Sequence, residues 1–371
     1  MDVFDYGNHF VIKLVQAHSP SRPLQIEIHP GLHCDLYRCP YCFGHGQQQF
    51  AGELLTVEDI ARALDDLAGM DPLVQVAGVS TEPLTHPDAA RMLAEIRHRN
   101  FRLGVHTKGY RLDAACADAL TEGTSECFIT LSVDASNNAE YIRIHNIASD
   151  RRDAPGRVRG DEYYDVVKAN LRRLHALKVA KRAPLEIRVA LLLFQENSDI
   201  RRLAAAADEL AEHCDLVRMA VPQERNDGVR PENFPHDPDA LLARLASEFR
   251  GHPKVRVLTG TANPARDESF NRCRAQRFQV VIDKCGNVFP CPQVALANYA
   301  WLRFGNIKTS TLAEILRSEE RRRLFDRDVT TEMRCRVCDR RDEAINGLLG
   351  RLIEGGPSVR RTAPLTVQTG S

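Results

Sequence analysis

Short apolar runs alternate with segments of helical spacing six times between residues 24 and 221. The runs are LQIEIH (24–29), LVQVAGV (73–79), RLGVH (102–106), CFITLSVD (127–134), LEIRVALLLF (185–194) and LVRMAV (216–221). Runs of this length, rich in β-branched residues, predict strands. Between them, residues 55–70, 90–100, 112–123, 163–178 and 200–213 repeat apolar positions every three or four residues, which predicts amphipathic helices. Thr56 stands where a helix N-cap belongs, and Gly123 where a helix stops. Strand–helix alternation in units of about 30 residues implies parallel strands with crossover helices. Six units predict a partial (βα)6 TIM-like barrel rather than a closed ring of eight. In either case function gathers at the C-terminal ends of the strands.

Two polar stretches interrupt the pattern. HNIASDRRDAPGRVRGD (145–161) reads as a long loop, its basic part 151–160 as a solvated lid. PQERNDGVRPENFPHD (222–237) marks the edge of the barrel. Downstream, FQVVIDKCGNVFPC (278–291) carries a hairpin signal and TLAEILRSEERRRLF (311–325) a helical one. The expected organisation is an N-terminal extension over 1–23, the barrel over 24–237 and a connecting helix and strand over 238–272. A small hairpin-and-helix domain follows over 273–354, and then a disordered tail over 355–371.

The chain's 371 residues are 43% apolar, ample for a large core. Lysine plus arginine number 50, as do aspartate plus glutamate, so formal net charge is zero. That balance argues against nucleic acid or an anionic membrane as partner. No run of 18 apolar residues offers a membrane span, and the N-terminus lacks the pattern of a signal peptide. Eleven cysteines in a chain without an export signal point to metal ligation in a reducing cytoplasm.

The cysteines are the most informative feature. Cys34, Cys39 and Cys42 fall within nine residues, directly after the first strand. Three thiols on one metal centre leave a coordination position open to a cofactor or substrate. Pro40, Gly44 and Gly46 let the loop turn tightly. Cys273, Cys291, Cys335 and Cys338 form a second set of four, enough to close a site. Zinc is the bland alternative at both places, with His33 or His45 completing the first and a four-cysteine ribbon forming the second. Cys116, Cys127 and Cys214 read as core thiols. Cys285, at the hairpin tip before Gly286, is either a turn residue or a hydrogen-atom donor.

The three-cysteine loop after the first strand of a partial barrel resembles the radical S-adenosylmethionine (radical SAM) superfamily. The family's usual loop has three residues between its first two cysteines; here there are four, Asp35, Leu36, Tyr37 and Arg38. The resemblance implies a four-iron, four-sulfur cluster on these thiols. It also implies S-adenosylmethionine on the fourth iron, cleaved to a 5′-deoxyadenosyl radical that takes a hydrogen atom from the substrate. Carried over by position, Tyr41 would approach the adenine. Glu82 in GVSTEPLTHP matches the acid of the family's Gly-Gly-Glu segment, with Ser80 and Thr81 in place of the glycines, and would meet the methionyl amine. Lys108 in VHTKGYRL takes the place of an asparagine. In LSVDASNNAEYIRIHN, Ser132 and Asp134 are candidates for the ribose hydroxyls and Arg143 for the methionyl carboxylate. Asn197 falls where the family often carries asparagine.

The four downstream cysteines resemble a SPASM/twitch extension in its shorter, twitch form, which implies one auxiliary four-iron, four-sulfur cluster. No cysteine follows Cys338. An oxidoreductase acting on a polar small molecule follows as the expectation: an amino sugar, an aminocyclitol or a nucleoside, dehydrogenated in a biosynthetic step. A flavodoxin- or ferredoxin-like donor would supply the electron. Peptide or protein maturation, or redox-neutral epimerisation with a thiol such as Cys285 as hydrogen donor, are the alternatives. His106 and Lys108, at the end of the third strand, are the other candidates to face substrate, possible catalytic groups beside Cys285.

Overall fold

The computed structural model describes residues 21–32, 34, 38–147, 162–223, 232–259, 270–335 and 338–354. Several readings lie wholly or partly outside the described residues: the N-terminal extension up to residue 20, the inserted Asp35, Leu36 and Tyr37 with His33, the loop 145–161 from residue 148 with its basic part 151–160, the barrel-edge stretch over 224–231, and the tail 355–371.

All six expected strands form: β1 Gln25–Ile28, β2 Leu73–Val76, β3 Arg102–Thr107, β4 Cys127–Ser132, β5 Leu185–Leu192 and β6 Leu216–Ala220. Between and after them run helices α1 Val57–Asp65, α2 Ala89–His98, α3 Ala114–Thr121, α4 Asn138–Ile144, α5 Tyr163–Lys181, α6 Ile200–Ala211 and α7 Pro238–Glu248. Strand β7 Val255–Val257 pairs parallel with β6, so the alternation runs one strand further than the apolar runs reach. The C-terminal part adds β8 Gln279–Ile282, β9 Asn287–Phe289, β10 Gly305–Asn306, α8 Leu312–Arg317, α9 Glu319–Leu324 and α10 Arg340–Glu354.

Side-chain chemistry fixes the helix starts. Thr56 and Asp59 form a reciprocal capping box on α1, and Asp113 and Asp199 accept amide hydrogens at the starts of α3 and α6. The helical signal at 311–325 resolves into two helices. Ser318 ends α8 in an extended conformation and caps α9 through its side chain.

Ten strands form one sheet in the order β10-β9-β8-β1-β2-β3-β4-β5-β6-β7. The pairs from β8 through β7 are parallel; only β8–β9 and β9–β10 are antiparallel. The C-terminal hairpin therefore extends the barrel sheet, with Gln25 opposite Gln279.

Register separates two faces of different chemistry. Ile26, Val74, Leu103, Ile129, Ile187 and Val217 are fully buried on one face. The crossover helices cover this aliphatic layer. The other face carries Gln25, Glu27, Gln75, His106, Thr130, Ser132, Arg188 and Arg218. A closed barrel fills its interior with branched aliphatic side chains; this inner face is polar. Among the described residues no helix is long and apolar enough to cross a membrane.

Candidate active site

The chain leaves β1 and passes against the end of β2 before reaching the first thiols. That approach requires Gly31: a Cβ there would lie 2.1 Å from the Glu82 carbonyl oxygen. The Cys34 amide donates to the Ser80 carbonyl (3.2 Å), and the Ser80 amide donates to Cys42 Sγ (3.3 Å). Ser80, with φ of 55°, adopts the left-handed conformation that glycine takes most easily. A Cβ on Gly44 would lie 2.3 Å from Ser80 Oγ, so loop and strand end interlock.

The three thiols sit within electrostatic reach of one another. Burial pushes the Cys34 thiol far up, and Glu82, Cys42 and Cys39 add to the effect. Cys39 is pushed up to about 11 by burial, against the pull of Lys108 and with the help of Cys42. Crowded buried thiols keep their protons unless a cation replaces them, and iron does so. Among the described residues no three such side chains close on the point a single ion would occupy. The imidazole of His45 is engaged with the Cys39 carbonyl (3.1 Å).

Beneath the loop lies a buried polar network. The Lys108 ammonium donates to Tyr41 Oη (2.7 Å), Asp134 Oδ2 (2.9 Å) and His145 Nε2 (2.8 Å), which spends its three hydrogens. Tyr41 donates to Asp134 Oδ2 (2.9 Å), and the Leu192 amide donates to Oδ1 (2.8 Å). Burial alone would raise the Asp134 carboxyl; Lys108 first and His145 next hold it well below the carboxylate range. His145 is lowered to about 4, by burial and then by Lys108. Its neutral ring donates from Nδ1 to the Tyr141 carbonyl (2.9 Å) and leaves Nε2 to accept. Glu82 accepts from Thr107 Oγ1, the Lys108 amide (3.0 Å) and the Leu84 amide (3.4 Å). Burial raises its pKa and those donors only partly offset the rise.

The remaining candidates separate. Asn197 is buried, its amide committed to the carbonyls of Asp134 and Leu192 and its oxygen to the Phe194 amide. Ser132 is half-buried on the inner face, and Arg143 is exposed in the last turn of α4. Tyr41 stacks on Phe194, with ring centroids 4.7 Å apart. His106 meets Phe128 edge-on and approaches Gln75 (3.4 Å). Cys285 is buried, its sulfur 3.8 Å from the Phe50 carbonyl oxygen.

The second thiol group gathers at the opposite end of β1. Cys273 precedes β8, which runs with β1, and Cys291 follows the antiparallel β9, so both lie at the N-terminal end of β1. Burial pushes the Cys291 thiol well up, followed by Cys335, Asp342 and Cys273. Cys338 is raised by burial, then by Asp342, Cys273 and Cys291. Fully buried Asn346 on α10 accepts the amides of Arg274 (2.6 Å) and Ala275 (2.8 Å). That pins its Nδ2 toward Cys273 Sγ (3.7 Å) and Cys338 Sγ (4.0 Å). Sequence reasoning missed Asn346. Its only signal is a helical position eight residues after the last cysteine.

Comparison with known proteins decides the family. The profile of the radical SAM superfamily matches residues 29–207, and that of an iron–sulfur cluster-binding domain, SPASM, matches 273–339. The chain belongs to the radical SAM superfamily. Its second thiol group is a SPASM cluster-binding domain, and its cofactors are S-adenosylmethionine and four-iron, four-sulfur clusters. No curated protein sequence matches. Among solved structures, Streptococcus suis SuiB bound to S-adenosylmethionine is similar at 16% identity and a TM-score of 0.57, over 83% of this chain and 68% of that one. SuiB bound to its precursor peptide SuiA is similar at 15% identity and 0.57, over 91% and 73%. The AdoMet-bound anSMEcpe is similar at 17% identity and 0.54, over 82% and 83%. At these identities the likeness is one of fold. The residues fit such cofactors: the thiols of each group are buried or half-buried, mutually crowded and supplied with an N–H donor aimed at sulfur, from Ser80 at one and Asn346 at the other.

Proposed function

We propose that this radical SAM enzyme removes two electrons from a polar small molecule held on the inner face of the sheet, between its two cysteine groups. Cys34, Cys39 and Cys42 would hold the cluster that takes S-adenosylmethionine; Cys273, Cys291, Cys335 and Cys338 would hold the auxiliary one. When bound, these groups supply a hydrogen-abstracting 5′-deoxyadenosyl radical at one end of the sheet and an electron acceptor at the other. The single observation that carries the reading is the polar inner face, with Glu27, His29, Gln75 and His106 where a barrel core would be aliphatic.

The chain's own residues have three tasks. The Lys108–Asp134–Tyr41–His145 network fixes Tyr41 beside the open thiols. Glu82, pinned by Thr107 and two amides, presents a buried acceptor at the end of β2. His106, lowered to about 4 by burial and by neighbouring arginines against the pull of Glu27, stays neutral at pH 7 and would accept a hydrogen bond from a substrate hydroxyl rather than hold its proton. The protein works in the cytoplasm and draws its electron from a flavodoxin- or ferredoxin-like donor.

A second reading, peptide modification, draws on the neighbours: SuiB was solved with precursor peptide SuiA, and anSMEcpe with the peptides Cp18Cys and Kp18Cys. The test is anaerobic incubation of the reconstituted protein with S-adenosylmethionine, reductant and fractionated extract of the producing cells. The small-molecule fraction raises 5′-deoxyadenosine formation above the substrate-free rate, with a product two mass units lighter than its substrate. Stimulation by the peptide fraction alone overturns the small-molecule reading.

A further inference from the structure

The inner face of β1 carries a histidine and a carboxylate joined to each other. The ladder between β1 and β8 continues through the His29 amide, which donates to the Ile282 carbonyl (2.8 Å). Alternation then puts the His29 side chain on the same face as Gln25 and Glu27. His29 Nε2 donates to Glu27 Oε1 (2.7 Å), and both residues are buried. The other carboxylate oxygen accepts from Gln25 Nε2 (3.3 Å), and Gln25 Oε1 in turn accepts from Arg341 on α10. Burial alone would raise the Glu27 carboxyl; His29 and then Arg341 hold it below the ordinary carboxylate range. One ring nitrogen is thus fixed by a carboxylate that is itself fixed from behind.

That contact sets the tautomer. With its Nε2 hydrogen on Glu27, the neutral ring keeps a lone pair at Nδ1, and among the described residues Nδ1 has no partner. Other groups of this face are less suited to take a proton. His106 is held neutral down to about pH 4. Asp283 stands opposite His29 and accepts from the Asn287 side chain, the Asn287 amide and the Cys285 amide (each 2.9 Å). Glu186 is bonded to Arg188 (2.6 Å). His29 also stands where β1 gives way to the loop of Cys34, Cys39 and Cys42, so it is the inner-face side chain of β1 nearest that loop along the chain.

We propose that His29 is the catalytic base of this site, with Glu27 as its positioning residue. Nδ1 takes the hydroxyl proton of a substrate alcohol whose carbinol carbon has already lost its hydrogen atom. In that step the O–H bond breaks, a C=O bond forms, the proton rests on Nδ1, and the remaining electron leaves to the auxiliary cluster as oxidant. The carboxylate behind the ring stabilises the imidazolium so formed. Asp283 at the end of β8 faces His29, and His106 on β3 and Arg341 on α10 face Glu27; these are the other titratable or charged groups around the pair. The inference rests on the proposed small-molecule dehydrogenation, and it narrows that substrate to an alcohol.

The test compares the reconstituted parent with His29→Gln, His29→Gly, Glu27→Gln and the exposed control His98→Gln, each checked for iron content and circular dichroism. With the small-molecule fraction that stimulates the parent, His29→Gln lowers the yield of the lighter product by about 100-fold or more. The 5′-deoxyadenosine formed per product rises by about tenfold or more, because hydrogen-atom loss continues without proton loss. Imidazole added to His29→Gly restores product, a rescue that a merely structural histidine does not give. Glu27→Gln lowers product by about tenfold and is not rescued by imidazole, and His98→Gln matches the parent. Parental yield in His29→Gln, or equal loss of product and 5′-deoxyadenosine without imidazole rescue, overturns the proposal. A second readout needs no substrate. Diethyl pyrocarbonate acylates the free nitrogen of a neutral imidazole, and peptide mass spectrometry finds His29 labelled in the parent beside exposed His98. If no small-molecule fraction gives the lighter product with the parent, the dehydrogenation reading fails and labelling alone judges the base. An unlabelled His29 then overturns it, and a labelled His29 upholds an open acceptor nitrogen at this place.

Discussion

At the residue scale, the side chains that tune a metal site are those with no freedom left. Asn346 is held by two backbone amides, so its own amide can point only at sulfur. Hydrogen bonds to sulfur favour the reduced, more negative state of a cluster and raise its potential. Asn346→Leu removes those bonds and leaves the Arg274 and Ala275 amides without their acceptor, at about 1–3 kcal/mol for each buried group. The expected outcome is a lower midpoint potential for the auxiliary cluster in an EPR redox titration, with the other cluster unmoved. An unchanged potential would make Asn346 purely structural. His106 gives a pH prediction. Its folded-state pKa of about 4 lies below the roughly 6.5 of an unfolded histidine. The stability this contributes is fully present above pH about 6.5 and is lost as pH falls toward about 4, because the unfolded chain takes the proton first. Between pH 7 and 5 the parent should therefore lose more denaturant resistance than His106→Gln; parallel losses would contradict the lowered pKa.

At the element scale, strands β3 and β4, helix α4 and the cysteine loop meet through Lys108. Lys108→Met leaves Asp134 as an unpaired charge in a fully buried place, which costs on the order of 3–5 kcal/mol. Thermal unfolding should show that loss, and Asp134→Asn combined with it should recover part. If the double variant is as unstable as the sum of the singles, the two residues do not act as a pair. Most of this level was legible in the chain. The six strands and five barrel helices follow from apolar period alone, since local pattern sets them. The inner-face residues are visible too: Gln25, Glu27 and His29 alternate through LQIEIH, and Glu186 and Arg188 through the start of LEIRVALLLF. Helix α4 escaped because seven residues carry too little period. Its signal was the cap, in which Asn137 accepts the Glu140 amide and the Glu140 carboxylate returns to the Ser136 amide. The β1–β8 pairing escaped for a different reason. It joins residues 25 and 279, and no local pattern encodes so distant a partner.

At the scale of the whole molecule, two thiol groups stand at opposite ends of β1, separated by at least that strand's length, about 13 Å. They differ in what they tie together. The first lies within nine residues of one loop, so a cluster there closes almost no chain. The second draws together a segment before β8, the end of β9 and the approach to α10, from Cys273 to Cys338. Binding at a site assembled only on folding contributes directly to folding stability, and closing a longer loop removes more freedom from the unfolded chain. The two clusters should therefore be separable by variant and unequal in their effect. Replacing Cys34, Cys39 and Cys42 together with alanine should lower iron from about eight to about four per chain and abolish 5′-deoxyadenosine, with little change in melting temperature. Replacing Cys273, Cys291, Cys335 and Cys338 should also remove about four irons but lower the melting temperature sharply. Equal shifts in the two variants would mean that the C-terminal hairpin is held by its place in the ten-stranded sheet rather than by metal. In that case the β1–β8 ladder, with Arg341 bridging Gln25 and Gln279 across it, is the element that fastens the domain to the barrel.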